Sequence, residues 1–260
     1  MKTLTINIEK CLSCNSCKSV CICNHLEVNT FVVEKNNECI ECGHCTAICP
    51  SQAIKLTKYL DKEDKIEKII NTHPSIEYDD FIELLKNRRS IRYFTKNKVD
   101  KKTLNKLFKA AYYSPSSKNT QTVEYVVIDE KLDELVELVY DILKDTEYPI
   151  AQKIGAYLNG ETEENPLTFE GQQVILGFSE NPIDTVINMS RLEIAAYSLG
   201  ISGFYCGYIV LCDTINHDKF MKFFPEINNN KHLHATYVLG YPRKRFKRTV
   251  PRDDIKITYK

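Results

Sequence analysis

The chain has 260 residues, long for one domain, so two domains are the natural expectation. Its 35 Lys and Arg balance 35 Asp and Glu, and a formal charge of +0 excludes a global attraction to nucleic acid or to an anionic membrane. No apolar run approaches the length needed to span a bilayer, and Met1 to Lys10 lacks the apolar core of an export signal, which sets a cytoplasmic expectation.

Chain order begins with a repeat. Cys11, Cys14, Cys17 and Cys21 form one run, and Cys39, Cys42, Cys45 and Cys49, followed by Pro50, form a second. Both read C-x2-C-x2-C-x3-C, the ligand run of a protein that carries two [4Fe–4S] clusters. Three thiolates spaced at every third residue wrap three corners of one cubane, and the fourth corner comes from the other run. The spacing therefore assigns Cys11, Cys14, Cys17 and Cys49 to one cluster, and Cys39, Cys42, Cys45 and Cys21 to the other. Eleven cysteines would also suit a disulfide scaffold, but the count is odd and eight of them sit at cluster spacing. Zinc sites usually pair two C-x2-C knuckles, without the third and fourth cysteine found here. The first run ends Cys21-Ile22-Cys23 with no proline, which leaves Cys23 as a spare thiol or an alternative ligand. Between the runs, residues 26–34 read as short strands about a turn at Asn29-Thr30. Residues 1–57 resemble bacterial-type ferredoxins. A charge-dense linker follows over 58–75, closing on Asn71-Thr72-His73-Pro74-Ser75.

Residues 76–260 alternate helical and strand-like segments. Helices are expected over 79–87, from an Asp100 cap through Leu104, Leu107, Phe108 and Ala111, over 132–143, and over 182–199. The last has Asn181 at its cap, Pro182 in its first turn and Gly200 past its end. It is apolar on more than one side, at Ile183, Val186, Ile187, Ile194, Ala195 and Ala196, which suits burial in a core or between subunits. Strands are expected over 123–128, 174–178 and 234–240, giving an α+β layout with a sheet covered by helices. Neither a G-x-G-x-x-G turn nor a phosphate-binding G-x4-G-K-[ST] loop is present.

Three segments carry the remaining chemistry. Arg88-Arg89-Ser90-Ile91-Arg92-Tyr93-Phe94 gathers three guanidinium groups and a hydroxyl, a match to phosphate or simply a solvated basic turn. The polar loop from Ser114 to Gln121 offers hydroxyls and two carboxamides, suited to a heterocycle edge or to an ordinary turn. The run from Leu199 to Gly207 has three glycines, which admit a flat ligand to the backbone or merely end a helix. The six histidines form no spaced ligand set, His217 reads as a surface residue, and Cys206 and Cys212 read as packing.

In this order, R-R-S-I-R-x-F, S-P-S-S-x-N-x-Q, a long helix ending A-A-Y-S-L-G-I, and Val238-Leu239-Gly240-Tyr241-Pro242 resemble the FMN-dependent nitroreductase family over residues 79–250. The ferredoxin-fused members resemble the whole chain. The resemblance implies an N-terminal two-cluster ferredoxin-like domain followed by a nitroreductase-like α+β sandwich. It implies that Arg88, Arg89, Ser90 and Arg92 hold the FMN phosphate and ribityl chain. Pro115, Ser116, Ser117 and Asn119 would come from the partner subunit, with Gln121 near the cofactor. Backbone at Tyr205, Cys206 and Gly207 would face the reactive edge of the ring, and Arg248, rather than Arg245 or Lys247, would be the last phosphate ligand. It also implies an intertwined homodimer, a low-potential donor such as reduced ferredoxin, or NAD(P)H, and an electron-poor acceptor such as a nitroaromatic or quinone. Two other readings remain: a non-catalytic electron-transfer or redox-sensing protein, and a related flavin enzyme that dehalogenates or fragments flavin. The family often has Pro-Trp after the glutamine, whereas Thr122-Val123 stands here and the chain has no tryptophan.

Overall fold

A computed structural model describes residues 2–69, 73 and 75–260. The end of the charged linker at Asn71, Thr72 and Pro74 lies outside the described residues. The chain divides into two compact units, Met1–Ser75 with Ser116–Thr120, and Ile76–Pro115 with Gln121–Lys260.

In the first unit β1 (Leu4–Ile6) pairs antiparallel with β4 (Ile54–Leu56), and β2 (Leu26–Val28) forms a hairpin with β3 (Val32–Glu34). The hairpin turns where Asn29-Thr30 predicts it, with Leu26 opposite Glu34. The core is small: Leu4, Cys17, Leu26, Val32, Ile54 and Leu56. Two one-turn helices, α1 (Ser16–Ser19) and α2 (His44–Ile48), each begin after a left-handed residue, Asn15 at φ 63° and Gly43 at φ 76°. A 3-10 stretch runs over Thr57–Lys65.

The second unit is built on an antiparallel sheet in the order β5-β6-β8-β7: β5 (Glu124–Ile128), β6 (Gln173–Ser179), β8 (His232–Gly240) and β7 (Ser202–Tyr205). Side chains alternate across it. Val174, Leu176, Phe178, Leu233 and Val238 enter a core with α5 (Leu132–Leu143), α6 (Ile150–Leu158), α8 (Gly207–Ile215) and α9 (His217–Met221). Ile175, Tyr237 and Leu239 enter the opposite core with α4 (Lys101–Tyr112) and α7 (Pro182–Ser198). Coverage on both faces explains why every residue of β6 is buried and all but Gln173 are apolar or small. The helix starts are specified locally. Asp100 accepts from the Thr103 N–H at 2.9 Å, and Asn181 accepts from the Ile183 N–H at 3.0 Å. Gly200, at φ 77°, ends α7 in the conformation a glycine permits.

The glycine-rich run 199–207 does more than end a helix, because it holds β7. A Cβ at Gly203 would lie 2.1 Å from the Val238 carbonyl oxygen, so the glycine serves strand packing. Within one chain α7 does not bury its whole apolar set, which leaves burial between subunits as the open alternative. Ile183 and Val186 are exposed, whereas Asp184, Asn188 and Glu193 are buried. Finally, α3 (Tyr78–Asn87) forms as expected but buries no residue.

Candidate functional site

The cysteine repeat is a backbone repeat as well. Ser13 and Glu41, Asn15 and Gly43, and Asn24 and Gln52 occupy matching places in the two runs, and all six have positive φ. Left-handed backbone costs a non-glycine residue about 1–3 kcal/mol, strain that collects at functional loops. The runs also end alike. The His25 N–H donates to Cys21 Sγ at 3.3 Å, and the Ala53 N–H donates to Cys49 Sγ at 3.2 Å. Ile22 standing in place of a proline therefore leaves the local geometry of the first run matched to that of the second.

The sulfurs fall into two groups. Cys11, Cys14, Cys17 and Cys49 line one cavity, against Val28, Val32 and Ile54. Cys21, Cys39, Cys42 and Cys45 line another, with Leu4, Leu26 and Leu56 behind them. Each cavity takes its fourth cysteine from the other run. Cys23 and His44 stand at the second cavity, and neither is required to complete a set of four. The thiols are electrostatically coupled within each group. Burial pushes Cys17 up, with Cys49 and Cys14 adding to it, and pushes Cys39 up, with Cys42 and Cys21 adding. Burial also pushes Cys45 up to about 11. At Cys49 burial acts upward, but the Ser51 hydroxyl and the N–H groups of Ala53, Ser51 and Ile54 hold the thiol below its ordinary value. Such crowded, part-buried thiols are costly to ionise alone and suit a shared cation or cluster.

In the second unit a cleft of about 610 Å³ opens beside β7. That volume is ordinary for a small-molecule site. One wall is Phe204 and the backbone from Tyr205 to Tyr208, where β7 passes into α8. A Cβ added at Gly207 would meet nothing within 4 Å, so the start of α8 faces open space. Lys153 of α6 and Phe169 line the cleft too, the Phe169 ring edge-on to Phe204 with centroids 5.6 Å apart. Arg92 lies over this aromatic pair, its guanidinium 4.8 Å from the Phe204 ring centre and 5.9 Å from that of Phe169. Sheet geometry fixes Arg92 there. The Ile91 N–H donates to Gly203 O at 3.0 Å, the Thr95 N–H to Tyr241 O at 2.8 Å, and Phe94 forms a bridge with Pro242. The arginine segment is thereby tied to the ends of β7 and β8.

Among the residues expected at an FMN site, Arg92, Tyr205, Cys206 and Gly207 meet in this cleft. Arg88 does not. Its Nη1 donates to Glu193 Oε1 of α7 at 2.9 Å. Burial raises the Tyr205 hydroxyl well above its ordinary value, and Glu193 adds to that shift. Arg89 stacks 5.0 Å from the Phe246 ring centre and lines a separate small cavity with Arg245. Ser90, Pro115, Gln121, Lys247 and Arg248 are exposed. Ser116, Ser117 and Asn119 belong with the first unit, where Asn119 Nδ2 donates to the Glu41 carbonyl at 2.9 Å, between Cys39 and Cys42. Burial pushes the Cys206 thiol up, and Cys212 up to about 12, in keeping with packing roles. Sequence reading missed Lys153, Phe169 and Tyr208 as cleft residues. No motif marks them, although Phe169 and Glu170 have positive φ, the backbone signature of such a wall.

Comparison with known proteins agrees with this architecture. The nitroreductase family model matches residues 85–241, more than half of the chain. The chain belongs to the nitroreductase family. A family nitroreductase with bound FMN from Bacteroides fragilis NCTC 9343 is 19% identical, with 68% of this chain covering 98% of that one at a TM-score of 0.58. A nitroreductase with bound FMN from Desulfitobacterium hafniense DCB-2 is 22% identical, with 68% covering 96% at 0.54. An iodotyrosine deiodinase bound to FMN and 3-iodo-L-tyrosine is 17% identical, with 69% covering 98% at 0.50. At these identities the likeness is one of fold. No curated protein matches the chain. Among the described residues no helix is long and apolar enough to cross a membrane.

Proposed function

We propose that the chain is an iron–sulfur flavoprotein oxidoreductase acting on an electron-poor acceptor such as a nitroaromatic or a quinone. Two [4Fe–4S] clusters would supply one-electron chemistry and FMN hydride-equivalent chemistry when bound. The observation that carries the reading is the grouping of eight cysteines into two crossed sets of four, in a chain whose other unit has the nitroreductase fold.

Cys11, Cys14, Cys17 and Cys49 would hold one cluster, and Cys21, Cys39, Cys42 and Cys45 the other. The fit rests on the thiols lining each cavity and on N–H groups directed at Cys21, Cys39 and Cys49 sulfurs, which would favour the reduced, more negative state. For FMN, the fit rests on the open backbone at Gly207 and on Arg92 and Lys153 facing one cleft. Arg92, with Arg89, Ser90 and Arg248, would hold the phosphate end. The backbone from Tyr205 to Gly207 would lie along the ring, where N–H groups at the start of α8 favour negative charge. Phe169 and Phe204 would exclude water from the ring's face. The product's proton can come from water. The enzyme would work as a homodimer in the cytoplasm. Ser116, Ser117, Asn119 and Gln121 would then complete the partner's site, with reduced ferredoxin or NAD(P)H as donor.

Anaerobic titration with dithionite tests the proposal. Bleaching of the clusters followed by bleaching of bound FMN is expected; clusters that reduce while FMN stays oxidised would sink it. A second reading, reductive dehalogenation, draws on the iodotyrosine deiodinase likeness of fold. Anaerobic reoxidation by a nitroaromatic, a quinone and a halophenol separates the two.

A further inference from the structure

Away from the cleft, α8, α9 and β8 bring together three metal-binding side chains. Asp213 lies near the end of α8, His217 opens α9 and His232 opens β8. Asp213 is buried, its Oδ1 lies 2.8 Å from His217 Nδ1, and its Oδ2 lies 3.0 Å from His232 Nδ1. The Leu233 N–H donates to the same Oδ2 at 3.3 Å, and the two imidazole rings stand 4.3 Å apart. One ligand atom from each residue lies within 4.8 Å of the others, and among the described residues no other such group is found.

The tautomer of His217 decides the reading. Its Nε2 lies 2.8 Å from the Asn229 carbonyl oxygen, which can only accept, so Nε2 carries a hydrogen. A neutral ring would then aim the Nδ1 lone pair at a carboxylate oxygen 2.8 Å away. Two acceptors in that position require a proton or a metal cation between them. A metal-bound histidine has this arrangement: one nitrogen on the ion, the other N–H on a backbone carbonyl that fixes the ring. His232 presents its own Nδ1 to the same carboxylate, and its side chain is half exposed, which leaves a coordination position open to water.

We propose that Asp213, His217 and His232 bind a divalent cation of the zinc type, as a structural site independent of the flavin and cluster reading. Two imidazole nitrogens and one carboxylate oxygen are a donor set zinc accepts. Tetrahedral zinc with bonds of about 2.0–2.2 Å spaces its ligands at ~3.3 Å. The observed 2.8 and 3.0 Å run to the two different oxygens of Asp213, so side-chain rotation must draw one atom of each residue, now within 4.8 Å of the others, to that spacing. The ion would tie the C-terminal end of α8, whose other end forms the cleft wall, to the first residue of the central strand β8.

The test uses the full chain with its cysteine centres loaded, dialysed against buffered Zn²⁺. Zinc per chain is read by mass spectrometry for wild type, His232→Ala and His217→Gln. Cysteine-bound zinc is common to all three and cancels in the difference. One equivalent more in wild type than in either variant is expected, with binding weakened at least as much as the roughly 10–100-fold typical of a lost supporting contact. The wild-type thermal midpoint should rise with zinc, and that of His232→Ala should not. Equal zinc in all three, or no shift in wild type, overturns the site and leaves an imidazolium–carboxylate pair only. Should the variants not fold, zinc X-ray absorption on wild type decides: imidazole scattering supports the site, and an all-sulfur shell refutes it.

Discussion

Glu193 gives the most decisive test of how the arginine segment is held. Its carboxylate sits on α7 with 9% of the side chain exposed and takes the Arg88 guanidinium, itself 27% exposed, at 2.9 Å. Arg88 caps α3, a helix that buries no residue, so this pair is a principal anchor of α3 to the sheet-covering layer. A fully buried pair broken on one side costs about 3–5 kcal/mol, and an exposed pair about 0–1 kcal/mol. With one partner buried and the other a quarter exposed, an intermediate coupling of about 1–2 kcal/mol is expected. The perturbation is a double-mutant cycle of Glu193→Gln and Arg88→Met, read from urea unfolding followed by circular dichroism. Each kcal/mol corresponds to roughly 2–4 °C in Tm for a unit of this size, so either single variant should melt several degrees lower. The cycle also bears on the cofactor. If Glu193 withholds Arg88 from a phosphate, Glu193→Gln should tighten FMN while lowering stability, and Arg88→Met should leave FMN affinity nearly unchanged. A coupling within about 0.3 kcal/mol of zero would refute the anchoring argument. A large FMN loss in Arg88→Met would refute the claim that Glu193 engages this arginine.

Four further outcomes are expected. Cys49→Ser should change the same electron paramagnetic resonance signal as Cys14→Ser, because those thiols share a cavity; a match to Cys45→Ser instead would refute the crossed grouping. Arg92→Ala should weaken FMN binding roughly 10–100-fold, the scale of one or two charge-assisted hydrogen bonds, and an unchanged fluorescence titration would count against its role. Gly203→Ala should cost about 3 kcal/mol or more, since its Cβ would lie 2.1 Å from Val238 O and 2.6 Å from the Tyr237 ring; near-wild-type stability would contradict that packing. The Lys98 ammonium, with Gln173, holds the Asp129 carboxyl below its ordinary value of 3.8, against burial. Its contribution is therefore present above that value and lost as pH falls through the depressed one. Asp129→Asn should flatten stability against pH in that acid range, and an unaltered profile would contradict the pairing.

The elements legible in the sequence are those with a stripe and a stop. The cap at Asp100 and the apolar set Leu104, Leu107 and Ala111 specify α4, and Asn181, Pro182 and Gly200 bracket α7. Helix α8 is not legible because Ile209, Val210, Leu211 and Cys212 run in sequence and its one charged residue, Asp213, is buried, so no polar face sets a period. Strand β7 hid within a glycine-rich run whose Gly203 serves a close backbone approach. At three residues each, β1 and β4 alternate over too short a span to mark a strand, and they pair across almost the whole first unit. The cysteine sets follow from spacing, because a cubane imposes its own geometry on a short loop. The cleft follows only in part. Arg92 and Tyr205 to Gly207 carry motifs, but Lys153 and Phe169 come from elements that only the fold brings near. The same holds for His217. Its partner Asp213 is one helical turn away, but His232 arrives from the next strand, so linear spacing marks no ligand set.

The distribution of polarity on α7 carries the last inference. A helix that packs only within one chain turns its apolar residues inward and its charges outward. Here Asp184, Asn188 and Glu193 are buried, while Ile183 and Val186 lie open. The buried groups are partnered: Asn188 accepts from the Tyr125 hydroxyl at 2.7 Å and Glu193 holds Arg88. Those contacts fix the helix's rotation and thereby set the apolar residues on the outer side, where exposure of Ile and Val has no stabilising effect in a lone chain. Tyr112 and Tyr113, at the end of the neighbouring α4, are exposed as well, at 74% and 59%. An apolar strip held outward by buried polar contacts is what a second copy of the chain would cover, and it supports the homodimer proposed above. Sedimentation equilibrium of Ile183→Glu/Val186→Glu against wild type reads this directly. A dimer that persists in the doubly charged variant would place the contact elsewhere.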